Sequence, residues 1–320
     1  MKRFSVSPSV AALILAVVLF LLSGFLPNSY GSDVKVAVAQ ATNIVRLAVF
    51  LGVIAAGQTL VIISGGEGID LSVGAVVTLG AIIVFRIVDG DNSMVLPALA
   101  ACLAAGAIIG LINGLGVTVI RIPPLVMTLG MAGVVQGIIL VVTQGELIGG
   151  PAPIMSTLIS RPLVWEIPGV VIIWLLVGLI MWAVLERTTY GKQLFAVGVN
   201  RTTARLSGVR TPLIVLATFT LSGMLAALGG FMVLGFTGSV FLNLGDRYLF
   251  PSIAAVVVGG TVLAGGAGSY WGTMSGALVL TLITSLLTAL QLPESYRLMV
   301  LGVILLVLLS VYGRQRGLRQ

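Results

Sequence analysis

Long runs of apolar residues separated by short polar segments make up almost the whole of this 320-residue chain. The runs are continuous and do not alternate apolar with polar positions, so they predict helices and not the strands of a barrel. The pattern predicts an all-α fold, a polytopic membrane helix bundle of about ten transmembrane helices, in one membrane domain over residues 1–320. The ten runs lie at about 9–26, 44–64, 71–88, 94–119, 124–143, 168–185, 212–236, 250–264, 269–290 and 296–313.

Two of these segments leave alternatives open. Residues 250–264 are short for a full crossing, and residues 64–71 form either a loop or a re-entrant break. Lys2 and Arg3 precede the first run as they would in a signal peptide, but no small-x-small cleavage site follows. We therefore interpret the first run as an uncleaved span.

Composition agrees with a membrane protein. Hydrophobic residues make up 58% of the chain and charged residues 8%, and the mean hydropathy is +1.18, whereas soluble domains carry about 25% charged residues. Two glycine stripes with four-residue spacing, at 106, 110 and 114 and at 268, 272 and 276, predict close contacts between helices. Asn113, beside the first stripe, is expected to be a buried amide that needs a partner.

The distribution of cations predicts which ends of the spans face the cell interior. With the N-terminus inside, ten crossings place eleven lysines and arginines on the inner side and four on the outer side. Such an excess marks the cytoplasmic side, so both termini are expected there. Arg46, near the outer end of its span, either snorkels to the interface or binds a ligand. Because the cations lie at span ends and not along one surface, no nucleic-acid partner is expected.

Residues 186–212 form the only long polar segment. Asn200 is suited to cap a short helix over 202–207, and Gly208 is suited to the left-handed residue that ends it. A short helix on a basic cytoplasmic loop predicts a docking element for another protein. The loop contains a single acid, Glu186, and five cations. The cations are Arg187, Lys192, Arg201, Arg205 and Arg210.

Residues 65–74 place two carboxylates and four glycines at a membrane boundary, which is costly enough to need a reason. Asp70 either caps a helix that begins at Leu71 or belongs to a broken helix beside a transport path. We take Asp70, Ser72 and Asn113 as candidates for lining that path. Further along, the Arg-Ile-Pro-Pro segment at 121–124 predicts a turn between two spans or, as an alternative, a second cytoplasmic contact.

Several kinds of site are absent from the sequence. The chain has no histidine and a single cysteine, Cys102, within an apolar run. It also lacks the phosphate loop, since Gly191-Lys192 has Glu186 at the upstream glycine position and is followed by Gln193. We predict no catalytic residue, no metal ligand and no cofactor on this chain. If the protein uses ATP, another chain must hydrolyse it.

Four motifs in order, covering about residues 43–314, resemble the ribose-type permeases of ABC importers. Two departures are Glu67-Gly68, an insertion in the first motif, and Pro251-Ser252, where the family commonly has Asp-Ala. We transfer no role to the second position. The motifs are Thr-Leu-Val-Ile at 59–62 with Ile-Asp-Leu-Ser-Val-Gly at 69–74, Ile-Pro-Pro-Leu-Val-Met-Thr-Leu-Gly at 122–130, the loop pattern with Thr188, Gly191, Ala196, Gly198, Asn200, Ala204 and Gly208, and finally 253–261 with 265–269.

The resemblance implies an inner-membrane permease subunit for a monosaccharide or similar small polyol. It also implies partners: a second permease copy or a similar permease, ATP-binding cassette ATPase subunits below, and a periplasmic sugar-binding protein above, all in or at the lipid bilayer. By this likeness the loop helix docks in a groove of the ATPase, and Arg205 pairs with an acidic residue there. The residues expected to couple transport to ATP hydrolysis are Tyr190, Gly191, Gly198, Asn200, Ala204, Arg205, Leu206 and Gly208.

Two other functions stay open at this point. An ion-coupled secondary carrier needs acids or broken helices near mid-membrane, and Glu67 and Asp70 are the only pair that fits. The second alternative is a membrane scaffold that transports nothing. Neither the substrate nor the choice between a homodimer and a heterodimer follows from the sequence.

Overall fold

The computed structural model describes residues 7–25, 31, 33–164 and 167–313, which are almost entirely helical. A two-stranded antiparallel hairpin, β1 (Pro162–Val164) and β2 (Ile167–Pro168), interrupts the helices. The helices are α1 Pro8–Ser23, α2 Val34–Ile63, α3 Val73–Val88, α4 Val95–Leu115, α5 Pro124–Thr143, α6 Pro153–Ser160, α7 Gly169–Trp182, α8 Thr189–Val199, α9 Arg201–Leu206, α10 Thr211–Thr237, α11 Asp246–Val258, α12 Tyr270–Ala289 and α13 Glu294–Gly313.

The helical fold class predicted from the apolar runs is confirmed, because each of the ten runs overlaps a helix. The number of crossings and the side of the termini stay predictions. Among the described residues, six helical segments are long and apolar enough to cross a membrane, and two apolar helices, α1 and α3, are shorter. The six are Val34–Ile63, Asn92–Ile120, Pro124–Thr143, Gly169–Arg187, Thr211–Thr237 and Tyr270–Ala289.

The bundle is built around α2 and α10. Every residue of α2 from Ala48 onward is buried, and the helix packs against α10, α12, α11 and α7. Helix α10 also packs along α4 and α3, while α1 lies on the outside against α12. The exposed faces of α5 and α7 are rich in leucine and valine, as expected of surfaces in lipid.

The packing predicted for the glycine stripes is confirmed. A Cβ atom at Gly106 or Gly110 of α4 would clash with backbone carbonyls of α10. A Cβ atom at Gly272 or Gly276 of α12 would clash with backbone carbonyls of α11 and its end. These helices approach backbone to backbone because no side chain stands between them.

Two connections turn back into the bundle, and we call them the first dip (residues 64–72) and the second dip (residues 238–245). In the first dip, the amide of the Gln58 side chain donates to the carbonyl of Asp70 at 2.5 Å. Gln58 lies five residues before the end of α2, so the chain returns by about 7 Å at 1.5 Å per residue. In the second dip, the Gly245 amide donates to the Thr78 hydroxyl of α3 at 2.9 Å. Residues 64–71 are therefore a break that re-enters the bundle and not a plain surface loop.

Candidate functional site

The first dip ends in a cluster of buried polar side chains, which we call the polar centre: Gln58, Asp70, Ser72, Asn113, Thr128 and Ser222. All six are at most 1% exposed. The Asp70 carboxyl group accepts hydrogen bonds from the hydroxyls of Ser72 at 2.6 Å and Ser222 at 2.8 Å. The Asn113 side-chain amide donates to the Ser72 hydroxyl at 3.0 Å. The centre thus joins the first dip to α4 and α10.

The remaining members of the polar centre satisfy backbone groups of the dip. The Asp70 amide donates to the Gln58 side chain at 3.2 Å, and the Leu71 amide donates to the Thr128 hydroxyl at 3.0 Å. A backbone that leaves its helix inside an apolar bundle has no water to pair with, so each such bond replaces a lost one. The polar centre is the reason that the chain can break there.

One sequence expectation about this region is wrong in detail. The helix begins at Val73 with Ser72 as its N-cap residue, and not at Leu71 with Asp70 as its cap. Asp70 instead accepts from the Ser72 amide at 3.0 Å, which closes a turn before the helix. Its carboxyl group still lies near the helix N-terminus, where a negative charge is favoured.

The three predicted path residues lie together but not on an open surface. Asp70, Ser72 and Asn113 are within one hydrogen-bonded chain and fully buried in the single subunit. The carbonyl oxygen of Asn113 has no hydrogen-bond partner among the described residues. Direct contact with a passing solute requires the bundle to open at this point.

The short helix predicted in the basic loop is present as α9. The Asn200 side chain accepts from the Thr203 amide at 3.0 Å, and Gly208 has a φ of +84°. The Val209 amide donates to the Ala204 carbonyl at 3.0 Å, which completes the turn that ends the helix. Both caps predicted from the sequence are therefore confirmed.

The predicted coupling residues divide into an exposed and a buried group. Arg205 and Leu206 project outward, and Leu206 is 84% exposed, which is unusual for a leucine on a polar loop. Gly191, Gly198 and Ala204 are buried within the chain. Any part that the buried group takes in coupling is therefore to hold α8 and α9 in place.

Tyr190 also belongs to the support of the loop. Its hydroxyl is 2.8 Å from the Thr218 hydroxyl of α10, and burial raises the pKa of Tyr190 to about 12. The ring stays neutral at any cellular pH, so the bond ties α8 to α10 under all conditions.

Three glycine-containing segments meet beneath this loop, and we call the contact the glycine junction: Gly65, Gly198, Gly265 and Gly266. A Cβ atom at Gly198 would clash with the Ile63 carbonyl and the Gly266 amide. A Cβ atom at Gly65 would lie 2.7 Å from the Gly198 carbonyl oxygen. The first dip, the loop and the α11–α12 connection therefore touch through their backbones.

Arg201, the first residue of α9, fastens the loop to the first dip. Its guanidinium lies over Gly66 and donates to the Gly65 carbonyl at 3.1 Å. The side chain is partly buried, and this burial lowers the pKa of the guanidinium. In the sequence, Arg201 is only one of five loop cations, because nothing local distinguishes it from Arg205.

The chain matches a known transport family over most of its length. The family described as "Branched-chain amino acid transport system / permease component" matches residues 40–309. The chain belongs to this permease family. The resemblance read from the four motifs is confirmed, and the permease is a multi-pass protein of the inner membrane and a transporter subunit of the ABC importer type, not an enzyme.

Relatives of the permease cover nearly all of it. It is 35% identical over 311 residues to the autoinducer 2 import system permease protein LsrC of Shigella flexneri, which covers 96% of this chain and 87% of the relative. The proteins of the same name from Escherichia coli and Yersinia pseudotuberculosis serotype O:3 are 34% and 35% identical, over 96% and 95% of this chain and 87% and 84% of theirs. No solved structure matches the permease.

Proposed function

We propose that this permease carries a small hydroxylated solute, a monosaccharide or similar polyol, across the inner membrane with energy from ATP hydrolysed on separate ATPase subunits. The observation that carries the proposal is α9: a capped helix at the end of a basic loop, with Leu206 exposed and Arg205 beside it. An exposed leucine beside an arginine suits an apolar pocket with an acidic rim on the ATPase. A groove lined by Arg205, Val209, Arg210 and Pro212 continues this surface along the start of α10.

The substrate class is proposed from the relatives, whose names state import of autoinducer 2. The description of the family names branched-chain amino acids instead. Uptake assays should therefore test autoinducer 2 and branched-chain amino acids first, in one panel with ribose and other pentoses and hexoses.

For the topology we propose ten crossings of one membrane domain with both termini in the cytoplasm. Three features at the α9 end of the bundle support it. Gly260 contacts Pro8 at the start of α1, Gly114 near the end of α4 contacts Leu216 of α10, and the glycine junction lies at the end of α2. The basic loop, the turn at Arg121 and the start of α1 thus share one end, as the excess of cations requires.

At the other end, α6 and the turn at 92–94 form a rim where we place the periplasmic binding protein. The Ile154 amide donates to the Asn92 side chain at 3.0 Å, and Met155 and Ile159 are buried beneath the rim. Because the rim is anchored in this way, a docking protein meets a firm surface. A second permease copy would complete the translocation path.

In the mechanism that we propose, ATP-driven movement of α9 reaches the first dip through Arg201 and the glycine junction. Contacts between backbones transmit displacement with little loss, since no flexible side chain lies between them. The first dip would then shift the polar centre and open the bundle beside Asp70. A switch of this kind needs the two arrangements to differ by only a few kcal/mol.

The test is purification of the permease from gently solubilised membranes, with identification of every bound chain and an assay of ATP hydrolysis. A phosphate-loop ATPase that co-purifies, and whose turnover rises with a loaded binding protein, is the expected result. Recovery of the permease alone from cells whose uptake is abolished by ionophores would favour the ion-coupled carrier instead.

Arg201→Ala tests the route of coupling. We expect the ATPase to remain bound, because Arg201 points into the chain, while solute moved per ATP falls about tenfold, within the range of coupling between two sites. Lys192→Ala, which removes an exposed cation from the same loop, should change neither quantity. Unchanged transport per ATP in Arg201→Ala would refute this route.

A further inference from the structure

The second dip brings the start of α11 deep into the bundle. The Gly245 amide bonds to Thr78, and a Cβ atom at Gly245 would clash with the Gly74 carbonyl and crowd Val77. Gly230 of α10 packs against the carbonyl of the same Val77. Gly245 and Gly230 therefore lie at one level of the bundle.

This level lies inside the bundle, below the outer end of α10. Gly230 is seven residues before the end of α10 at Thr237, so the start of α11 is about 10 Å below that end at 1.5 Å per residue. Helix α11 has 13 residues and covers about 20 Å more. Since α10 with its 27 residues extends over about 40 Å, α11 covers only part of the bundle and is shorter than the hydrocarbon layer of about 30 Å.

Polar side chains are exposed at this depth and are not paired. Asn243, Asp246 and Arg247 are all exposed on the subunit. Within the described part of the chain, none of these three side chains has a hydrogen-bond or ion-pair partner. An unpaired acid and an unpaired cation at such a depth are too costly to face lipid, so they face water or a ligand.

Two further features give this surface the chemistry of a site for a hydroxylated solute. Pro251 has no N–H, so the Arg247 carbonyl lacks its usual donor within the helix. Phe241 and Phe250, which are near Asp246 and Arg247 in the sequence, are 53% and 58% exposed. Carboxylate, guanidinium and amide groups bind hydroxyls, and an aromatic ring covers the apolar face of a sugar ring.

A polar residue is also exposed at a similar distance from the end of a neighbouring helix. Gln136 is exposed on α5, seven residues before the end of that helix at Thr143, which again is about 10 Å. Both α5 and α11 pack against α3. Gln136 thus adds an exposed polar side chain on a second helix that packs against α3.

We propose that Asn243, Asp246 and Arg247 form a solute-binding patch in the translocation path, which contacts the hydroxyls of the transported polyol. The proposal rests on the proposed function and adds to it the residues that contact the solute. Asp246 accepts hydroxyl hydrogens, Arg247 and Asn243 donate to hydroxyl oxygens, and the patch is reached from the periplasmic side.

The first arm of the test measures exposure to water in native membranes with the full set of partners. A membrane-impermeant cationic methanethiosulfonate should label Asp246→Cys from the periplasmic side. Leu176→Cys is the matched control, because Leu176 is exposed on α7 seven residues from its first residue, Gly169. Leu176→Cys should stay unlabelled because it faces lipid. The native Cys102 is fully buried, so it should not react with the reagent. An unlabelled Asp246→Cys overturns the patch.

The second arm measures uptake of radiolabelled autoinducer 2, ribose and leucine by cells with Asp246→Asn or Arg247→Gln. We expect uptake of the transported solute to fall about tenfold or more, since a hydrogen bond to a charged group is lost, while the amount of assembled complex is unchanged. Lys35→Gln, which removes an exposed cation near the start of α2, should transport normally. Normal uptake by both patch variants would rule out solute contact.

The two arms separate this inference from the proposed function. Labelling of Asp246→Cys does not depend on which solute is carried. If Asp246→Cys is labelled but the wild-type permease takes up no solute of the panel, the substrate class fails while the water-exposed patch is supported. If a second permease copy covered the patch, Asp246→Cys would be protected in the assembled complex, which would overturn the proposal.

Discussion

The two dips are built in opposite ways. In the first, the Asp70 carboxyl group is buried in the polar centre and accepts hydrogen bonds from two hydroxyls and one amide. In the second, Gly245 is fastened to α3, but Asp246 and Arg247 beside it are exposed and unpaired. The buried carboxyl group of the first dip holds the fold together, whereas the exposed and unpaired charges of the second dip are available for contact with another molecule.

The largest effect that this comparison predicts is for Asp70→Ala. The Ser72 and Ser222 hydroxyls and the Ser72 amide would lose a buried acceptor, so the unfolding free energy should drop by about 2–4 kcal/mol. Thermal unfolding in detergent measures the change. Asp70→Asn, which keeps one carbonyl acceptor, should lose clearly less, and an Ala variant as stable as wild type would show that the polar centre does not hold the first dip.

A smaller loss is expected for Gly245→Ala, where the second dip meets α3. The new methyl group would press on the Gly74 carbonyl, and overpacking of this kind costs about 1–3 kcal/mol. Gly302→Ala is the control, since a Cβ atom there meets nothing within 4 Å. Equal unfolding temperatures for the two variants would argue that the second dip is not seated against α3.

The smallest effect on stability is expected at the second dip, and it tests the difference between the two dips most directly. Asp246→Asn should leave the unfolding free energy within about 0.5 kcal/mol of wild type, because an exposed and unpaired side chain stabilises little. The same unfolding assay applies, with Asp70→Asn as the buried counterpart. A loss of stability as large as that of Asp70→Asn would mean that the two dips are alike after all.

Much of this architecture follows from the sequence because the deciding interactions are local. Apolar runs predict helices, and Asn200 and Gly208 predict the ends of α9, since a cap depends on only a few neighbouring residues. The first dip was recognisable from acids and glycines at a membrane boundary. The predicted N-cap, Asp70, lies two residues before the observed one, Ser72. Both residues are suitable caps, and the choice between them depends on the distant Ser222 and Gln58.

The second dip could not be predicted in the same way. Residues 238–245 mix apolar and small polar residues like any short connection, and only the contact of Gly245 with α3 places them inside the bundle. The glycine junction has the same origin, since Gly65, Gly198 and Gly265 come from three distant motifs. In the sequence each of these glycines predicts only a local turn. The contact between the three segments depends on the folded chain.

The shortness of α11 also constrains how the protein is made. A segment of 13 residues is too short to span a bilayer alone, for which about 20 residues are needed, and the exposed backbone of the second dip has no place in lipid. Helices α2 and α3 precede it in the chain and α12 follows it, and all three pack against it. Nascent α11 therefore depends on neighbours from both directions along the chain, and we expect it to settle in the membrane only once α12 has been inserted beside it.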